Sequence, residues 1–456
     1  MLRASLERRL GPVDASAIIV SNVIGSGILI VPAIVARMIP NPLAILAVWL
    51  VGGLLAFAGA MAYAELATLR SRAGGEYVYL REAFGPLVGF LSGWTSFIAG
   101  FSGAIAAGAV GVSSYLGRFI PFAADTTELV AMALPFGMLT VTRQDLTALS
   151  VIVVLSVIHI IGLGPGRVVQ NVLSLLKVLI LIMFVLLGLV FGQGTAENFS
   201  IARPVPAANW LVALIPVMFS YSGWNAAAYV AEEVRDPARN LPIALGLGTA
   251  IVVVVYLAMN LLYLYAFPVE ELGSLQIRVV DATAARLFGG AVATALAAAT
   301  VVMVAASISA MIVAGPRVYF AMARDGLFFG AAARVHPRFR TPAVAIVAQA
   351  VWSSLLVLSG TFIQLVEFTG FSIVLFAGLA VVTLFVLRRR LPFEPRPFLA
   401  WGYPIAPGLF ALFSMAMVVN AIWRTPGPAA AGLVVILAGV PVYMLLKHLK
   451  QLDEDK

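Results

Sequence analysis

Two membrane-length apolar runs in this chain are interrupted by short patches of glycine and serine, and they open two similar halves. The first patch is Gly25-Ser26-Gly27, inside the run 13–38. The second is Ser220-Tyr221-Ser222-Gly223, inside the run 209–231. An unbroken helix satisfies its backbone polar groups within itself. Lipid offers no water to repair a break, so a break persists only where it is buried in protein or lines a cavity. Small residues also let helices pack closely, and Gly100, Gly103 and Gly108 in the third run read that way. The matched position of the two patches favours broken helices instead, which is the sequence pointer to a solute-carrier binding site.

The rest of the chain agrees with a membrane bundle. Hydrophobic residues make up 62% and charged residues 11%, against about 25% charged in a soluble domain. Twelve runs near the roughly 20 residues needed to cross a bilayer are predicted, at 13–38, 42–68, 85–117, 147–163, 168–192, 209–231, 241–267, 285–316, 342–360, 362–387, 402–423 and 429–447. No cleavable signal peptide is expected, since the basic stretch 1–11 leads into a full first span. Lysine and arginine concentrate in alternate loops, with Arg8, Arg9, Arg70, Arg72, the run 324–340 and Arg388-Arg389-Arg390 on one side. The positive-inside rule then places both termini in the cytoplasm. The net charge of +8 follows from that bias, and arginines scattered over separate loops give no nucleic-acid surface.

Several chemistries are set aside by residue content. There is no cysteine, so neither a disulfide-linked partner nor a thiolate site is expected. His159, His336 and His448 lie too far apart in sequence for metal-ligand spacing. Neither a metal nor a cofactor is expected. No HExxH or GxSxG context marks an enzyme, and no repeated filter marks a channel.

At this point the motifs resemble a family. Ile24-Gly25-Ser26-Gly27-Ile28 is similar to the first-helix signature of the amino acid–polyamine–organocation (APC) superfamily. Phe219 to Asn225, followed by Glu232-Glu233 and Arg239-Asn240-Leu241-Pro242, resembles the sixth helix and following loop of its L-type amino acid transporter branch. Gly74-Gly75-Glu76-Tyr77 resembles the loop after helix two. The stretch 317–326, with His336-Pro337 and Thr341-Pro342, resembles the loop after helix eight. The resemblance implies an all-α integral membrane fold of twelve helices, with LeuT-type 5+5 inverted repeats plus two C-terminal helices. The implied boundaries are 1–12 for the N-terminal segment, 13–192 and 209–390 for the repeats, 401–449 for the last two helices and 450–456 for the tail. It also implies sodium-independent transport of amino acids. Animal members of that branch carry a cysteine in the outer loop after helix three that tethers a glycoprotein. This chain has none in 118–145, so it resembles the prokaryotic, single-chain members of the cell membrane. Ser220 and Ser222 stand where many members carry smaller or apolar residues. Oligomeric state is left open.

The residues of the two breaks suit a zwitterion. A carboxylate is met by free N–H groups at a half-helix N-terminus, here Ser26, Gly27 and Ile28. An ammonium is met by free carbonyls ending the preceding half-helix, at Val23-Ile24 and Phe219-Ser220. Gly25 and Gly27 permit the unwound dihedrals. Ser222 and Asn225 complete the candidate pocket. Phe219 resembles the family's gate over the substrate, and Trp224 is a second gating candidate.

Lys177 lies ten residues past Arg167, roughly 15 Å into the bilayer at 1.5 Å per residue, where an ionisable group is costly and by default functional. In the family a fifth-helix lysine resembles a built-in replacement for a sodium ion, tying helix one to helix eight through Ser307 or Ser309. The alternative makes Lys177 a proton carrier in a symporter. Glu65 reads as interfacial and Glu367 as the one acid with a pore-facing option. A cationic amino acid or polyamine carrier would need more acids at that depth. Glu232, Glu233 and Asp236 with Arg235 and Arg239 read as a loop ion-pair cluster at the inner gate. The expected function is a uniporter or exchanger for neutral L-amino acids.

Overall fold

The computed structural model describes residues 6–454 apart from 26, 135–136, 201–202, 276–277 and 361; the side chains of 362–369, Glu367 among them, also lie outside the described set. The chain is an all-helical membrane bundle. The first run folds as α1 (Pro12–Val23) and α2 (Gly27–Met38), inclined by 50° to each other. After them come α3 (Pro42–Leu69), α4 (Glu76–Phe84), α5 (Pro86–Leu116, with a π-helical turn at Ser96–Gly100), α6 (Arg143–Ile161) and α7 (Leu163–Phe191). The second half begins with α8 (Ala207–Ser220) and the single turn α9 (Ala226–Tyr229), then α10 (Pro237–Ala266). Two short helices, α11 (Val269–Ser274) and α12 (Val279–Phe288), precede α13 (Ala293–Arg324), α14 (Ala343–Ser359), α15 (Phe362–Arg390), α16 (Ile405–Arg424) and α17 (Pro426–His448).

Among the described residues, nine helices are long and apolar enough to cross a membrane, and the α1–α2 pair makes up to ten. The remaining predicted runs fold as the shorter apolar helices α8 and α14. Leu54, Val254, Val190 and Leu412 point outward and are each more than half exposed. Exposed aliphatic side chains on spanning helices suit contact with lipid. Core packing places α1 at the centre, against α7, α10 and α13.

The eighth run differs from expectation at both ends. The eighth run was expected at 285–316, yet α13 spans Ala293–Arg324 and residues 285–288 belong to α12. Gly289 at φ +74° turns the chain between them, a conformation glycine adopts freely. The other end runs past Arg317 because that charge is neutralised inside the bundle, as described below. The connection 118–145 adds an antiparallel hairpin, β1 (Glu128–Leu134) and β2 (Gly137–Thr142), to an otherwise helical chain.

Candidate functional site

The two breaks meet. Helix α1 ends at Val23, and Ile24 turns extended at φ −71°, ψ 94°. Its last carbonyls therefore have no helical donor. On the facing chain α8 ends at Ser220, and Gly223 reaches φ +101° before α9 begins. A Cβ at Gly27 would lie 2.8 Å from the Ser220 hydroxyl and 2.9 Å from its Cα. A Cβ at Gly223 would lie 2.6 Å from the Asn22 amide nitrogen, which also donates to the Gly223 carbonyl at 3.3 Å. Gly27 and Gly223 are thus contact glycines that let the two unwound strands touch. Gly25 is different: among the described residues a Cβ there would meet only the Val23 carbonyl, at 3.9 Å. It borders open space.

Side chains from neighbouring helices satisfy the orphan carbonyls. The Lys177 ammonium, fully buried on α7, donates to the carbonyl of Ser21 at 2.8 Å, to that of Ile24 at 2.5 Å and to the hydroxyl of Ser307 on α13 at 2.8 Å. Three donors meet three acceptors, so the ammonium is saturated. Ser307 itself donates toward Ile24 at 3.2 Å. The Ile24 carbonyl then has both lone pairs engaged. Ser309 does not join this set; its hydroxyl lies 2.8 Å from Nε2 of the buried His159. The hydroxyl of Tyr256, on α10, sits 2.9 Å from the Val23 carbonyl and 3.0 Å from that of Ser220, bridging the two breaks. One turn pair further along α10, Tyr263 donates to the Ile28 carbonyl at 3.2 Å. Neither tyrosine was singled out from sequence. Their signal was a pair of polar-tipped aromatics seven residues apart on one face of an apolar helix.

The remaining candidates divide between the cradle and its surroundings. Ser26 lies outside the described residues. Ile28 is buried, Ser222 is half-buried beside Gly223, and the Ser220 hydroxyl donates back to Pro216 at 3.0 Å. Phe219 is 40% exposed, and its ring lies against Gly370 of α15, where a Cβ would come within 3.3 Å. Trp224 points away from the cradle: it is 4% exposed and packs edge-on against Tyr63 of α3 and Phe410 of α16, at 4.8 and 5.3 Å between ring centres. Asn225 donates to the carboxyl of Glu76 and, at 3.2 Å, to the Tyr229 hydroxyl.

The acids resolve differently from the sequence expectation. Glu65, near the end of α3, is fully buried among protein groups; Arg388 and Arg396 clamp it and the Ala400 N–H donates to it at 2.7 Å. Glu233 receives a two-pronged guanidinium contact from Arg317 of α13 at 2.7 and 2.9 Å, both side chains being buried. Glu232 pairs with Arg324 at 2.8 Å. Of the three acids after α9, Glu232 and Glu233 therefore pair with α13, not with Arg235 and Arg239. Removing one partner of such a buried pair costs about 3–5 kcal/mol, so these contacts close one end of the bundle firmly.

Comparison with known proteins gives the chain's family. The model for the amino acid permease family matches residues 10–446. The chain is 30% identical over 450 residues to the serine/threonine exchanger SteT of Bacillus subtilis, covering 98% of both chains. It is 28% identical over 449 residues to the human large neutral amino acids transporter small subunit 2, covering 97% of this chain and 81% of the relative. It is 30% identical over 459 residues to the human b(0,+)-type amino acid transporter 1, covering 98% and 89%. With a family model spanning nearly its whole length, the chain belongs to the amino acid permease family of the APC superfamily.

Proposed function

We propose that this chain carries neutral L-amino acids across the cell membrane as a sodium-independent exchanger or uniporter, binding substrate at the junction of α1, α2, α8 and α9. Taking α1–α2 as one span and α8–α9 and α14 as spans gives twelve, arranged as two inverted repeats of five and two further helices, with both termini in the cytoplasm. The substrate carboxylate is held by the N–H groups that open α2, at Ser26, Gly27 and Ile28. Its ammonium is held by the carbonyls of Val23, Phe219 and Ser220, each with a lone pair to spare; the Ile24 carbonyl is committed to Lys177 and Ser307. Gly25 leaves the room. Phe219, partly exposed beside Gly370, closes over the cradle from the α15 side.

One observation carries the reading. Lys177 fills, with a covalently attached cation, the point where α1, α7 and α13 converge. A chain that brings its own cation to this joint has no need of a dissolved one there. Small hydroxylated and large neutral amino acids, which the names of the relatives print, form the probe panel. Purified protein in sodium-free liposomes preloaded with unlabelled substrate should take up the labelled L-isomer saturably, and the D-isomer poorly. A strict sodium requirement would overturn the proposal. The absence of cysteine supports work as a chain without a disulfide-tethered subunit.

A further inference from the structure

Among the described residues four acids are buried near the closed end of the bundle, and three have cations, Asp14 having Arg167 at 3.8 Å. Glu65 has Arg388 and Arg396, and Glu233 has Arg317. Glu76, the first residue of α4, is 6% exposed and has none. Its carboxyl meets neutral partners only: the Tyr63 hydroxyl of α3 at 2.7 Å, the Asn225 amide at the end of the second break, and the Tyr229 hydroxyl of α9. Tyr79, on its own helix, faces it from further off with a buried hydroxyl. The charged groups on the elements packed against α4 are engaged elsewhere or exposed. On α15, Arg388 holds Glu65, Arg390 donates to the Ala83 carbonyl and Arg389 is exposed. On α13, Arg317 and Arg324 hold Glu233 and Glu232, and Asp325, just beyond its end, pairs with Arg72 and Arg81. α5 carries no charged residue.

A buried carboxylate without a cation takes a proton instead of keeping its charge. We propose that Glu76 is a proton-binding site that latches the inner closure. In the neutral acid form its cluster ties α3 and α4 to α9, the inner half of the second break. Loss of the proton to water at that end leaves an unpaired charge in the joint and frees α9. The joint is tight enough for this to matter. The Gly74 N–H donates to the Tyr229 carbonyl at 3.1 Å, and a Cβ at Gly75, at φ +50°, would stand 2.6 Å from the Tyr229 ring. Displacing Glu76 therefore displaces the turn that carries Asn225 and ends the substrate cradle.

Burial raises the Glu76 carboxyl from its ordinary 4.5 to about 7. A pKa raised in the closed state stabilises that state fully below the ordinary value, and the benefit is lost as pH rises through the raised one. Opening should rise up to tenfold per pH unit from about pH 5 and level off near pH 7.

The chain has no cysteine, so Ala73→Cys, 1% exposed in the loop before α4, gives a single reporter thiol. Its labelling by an impermeant maleimide, without substrate, is measured from pH 5 to 8 on the Glu76 and Glu76→Gln backgrounds. The ratio of the two rates cancels the thiol's own titration. The proposal expects that ratio to climb between pH 5 and 7 and then flatten. A ratio constant across the range overturns it. Tyr63→Phe removes a donor to the charged form, so the flattening point should move to higher pH; an unmoved or lowered point also overturns the proposal and does not depend on Glu76→Gln folding. Because no substrate is present, failure here leaves the transport assignment untouched.

Discussion

Replacing Lys177 with methionine keeps the length and apolar stem of the side chain and removes three hydrogen bonds. Bonds to a charged donor are worth about 1.5–3 kcal/mol each, so simple addition gives about 4.5–9 kcal/mol. The structure lowers that figure. The Ile24 carbonyl keeps the Ser307 hydroxyl as a donor at 3.2 Å. Only the Ser21 carbonyl is stripped of its side-chain donor, and the desolvation of the ammonium is relieved at the same time. A net loss on the order of 3 kcal/mol remains for the state in which α1, α7 and α13 are joined. At 1.4 kcal/mol per tenfold that state becomes about a hundredfold rarer. Exchange by Lys177→Met in proteoliposomes should therefore fall by about two orders of magnitude, equally from pH 6 to 8 and with or without sodium. Wild-type uptake should not become concentrative under an inward proton gradient, because a saturated three-acceptor ammonium is a fixed tie. Exchange within threefold of wild type in the mutant would refute the tie. Uphill uptake driven by protons alone, and lost in Lys177→Met, would make Lys177 a carrier instead.

The other expectations concern the cradle. Gly25→Val adds a branched side chain to open space, so substrate binding should be lost while thermal unfolding of the protein is nearly unchanged; normal affinity would move the site elsewhere. Gly27→Ala is expected to fail differently, lowering thermal stability itself, because its Cβ meets Ser220 at 2.8–2.9 Å. Tyr256→Phe removes the hydroxyl between the Val23 and Ser220 carbonyls and should weaken the junction by about 1–3 kcal/mol, read as a drop in exchange with the fold intact by circular dichroism; unchanged exchange would show that the bridge is idle. Phe219→Ala should lower exchange more than binding, and full-speed exchange would remove the gate assignment.

What could be read from the sequence follows the physical range of each interaction. The breaks at Gly25–Gly27 and Ser220–Gly223 were legible because a loss of helix propensity is local. Lys177 stood out because a charge amid aliphatics is conspicuous wherever its partners are. The partners themselves were not legible. Ser307 and Ser309 are two residues apart in the same apolar helix, and only the packing of α6 shows that Ser309 belongs to His159. Tyr256 reads as one more aromatic in a buried span until its hydroxyl is seen between two breaks. Glu65 read as interfacial, and Arg317 as the start of the loop after helix eight; their burial depends on Arg388, Arg396 and Glu233, hundreds or scores of residues distant. Trp224 beside a break suggested a gate, yet its ring packs on α3 and α16, because side-chain direction in an unwound segment has no period to read.

The central claim is that the junction of the two breaks carries a neutral L-amino acid across the membrane without sodium. Counterflow tests it most directly: purified protein in sodium-free liposomes, loaded with unlabelled substrate, with uptake of trace labelled substrate followed for wild type and Gly25→Val. The account predicts transient, saturable, L-selective accumulation by wild type and none by Gly25→Val. Non-saturable uptake, uptake blind to stereochemistry, or counterflow that survives in Gly25→Val would contradict it.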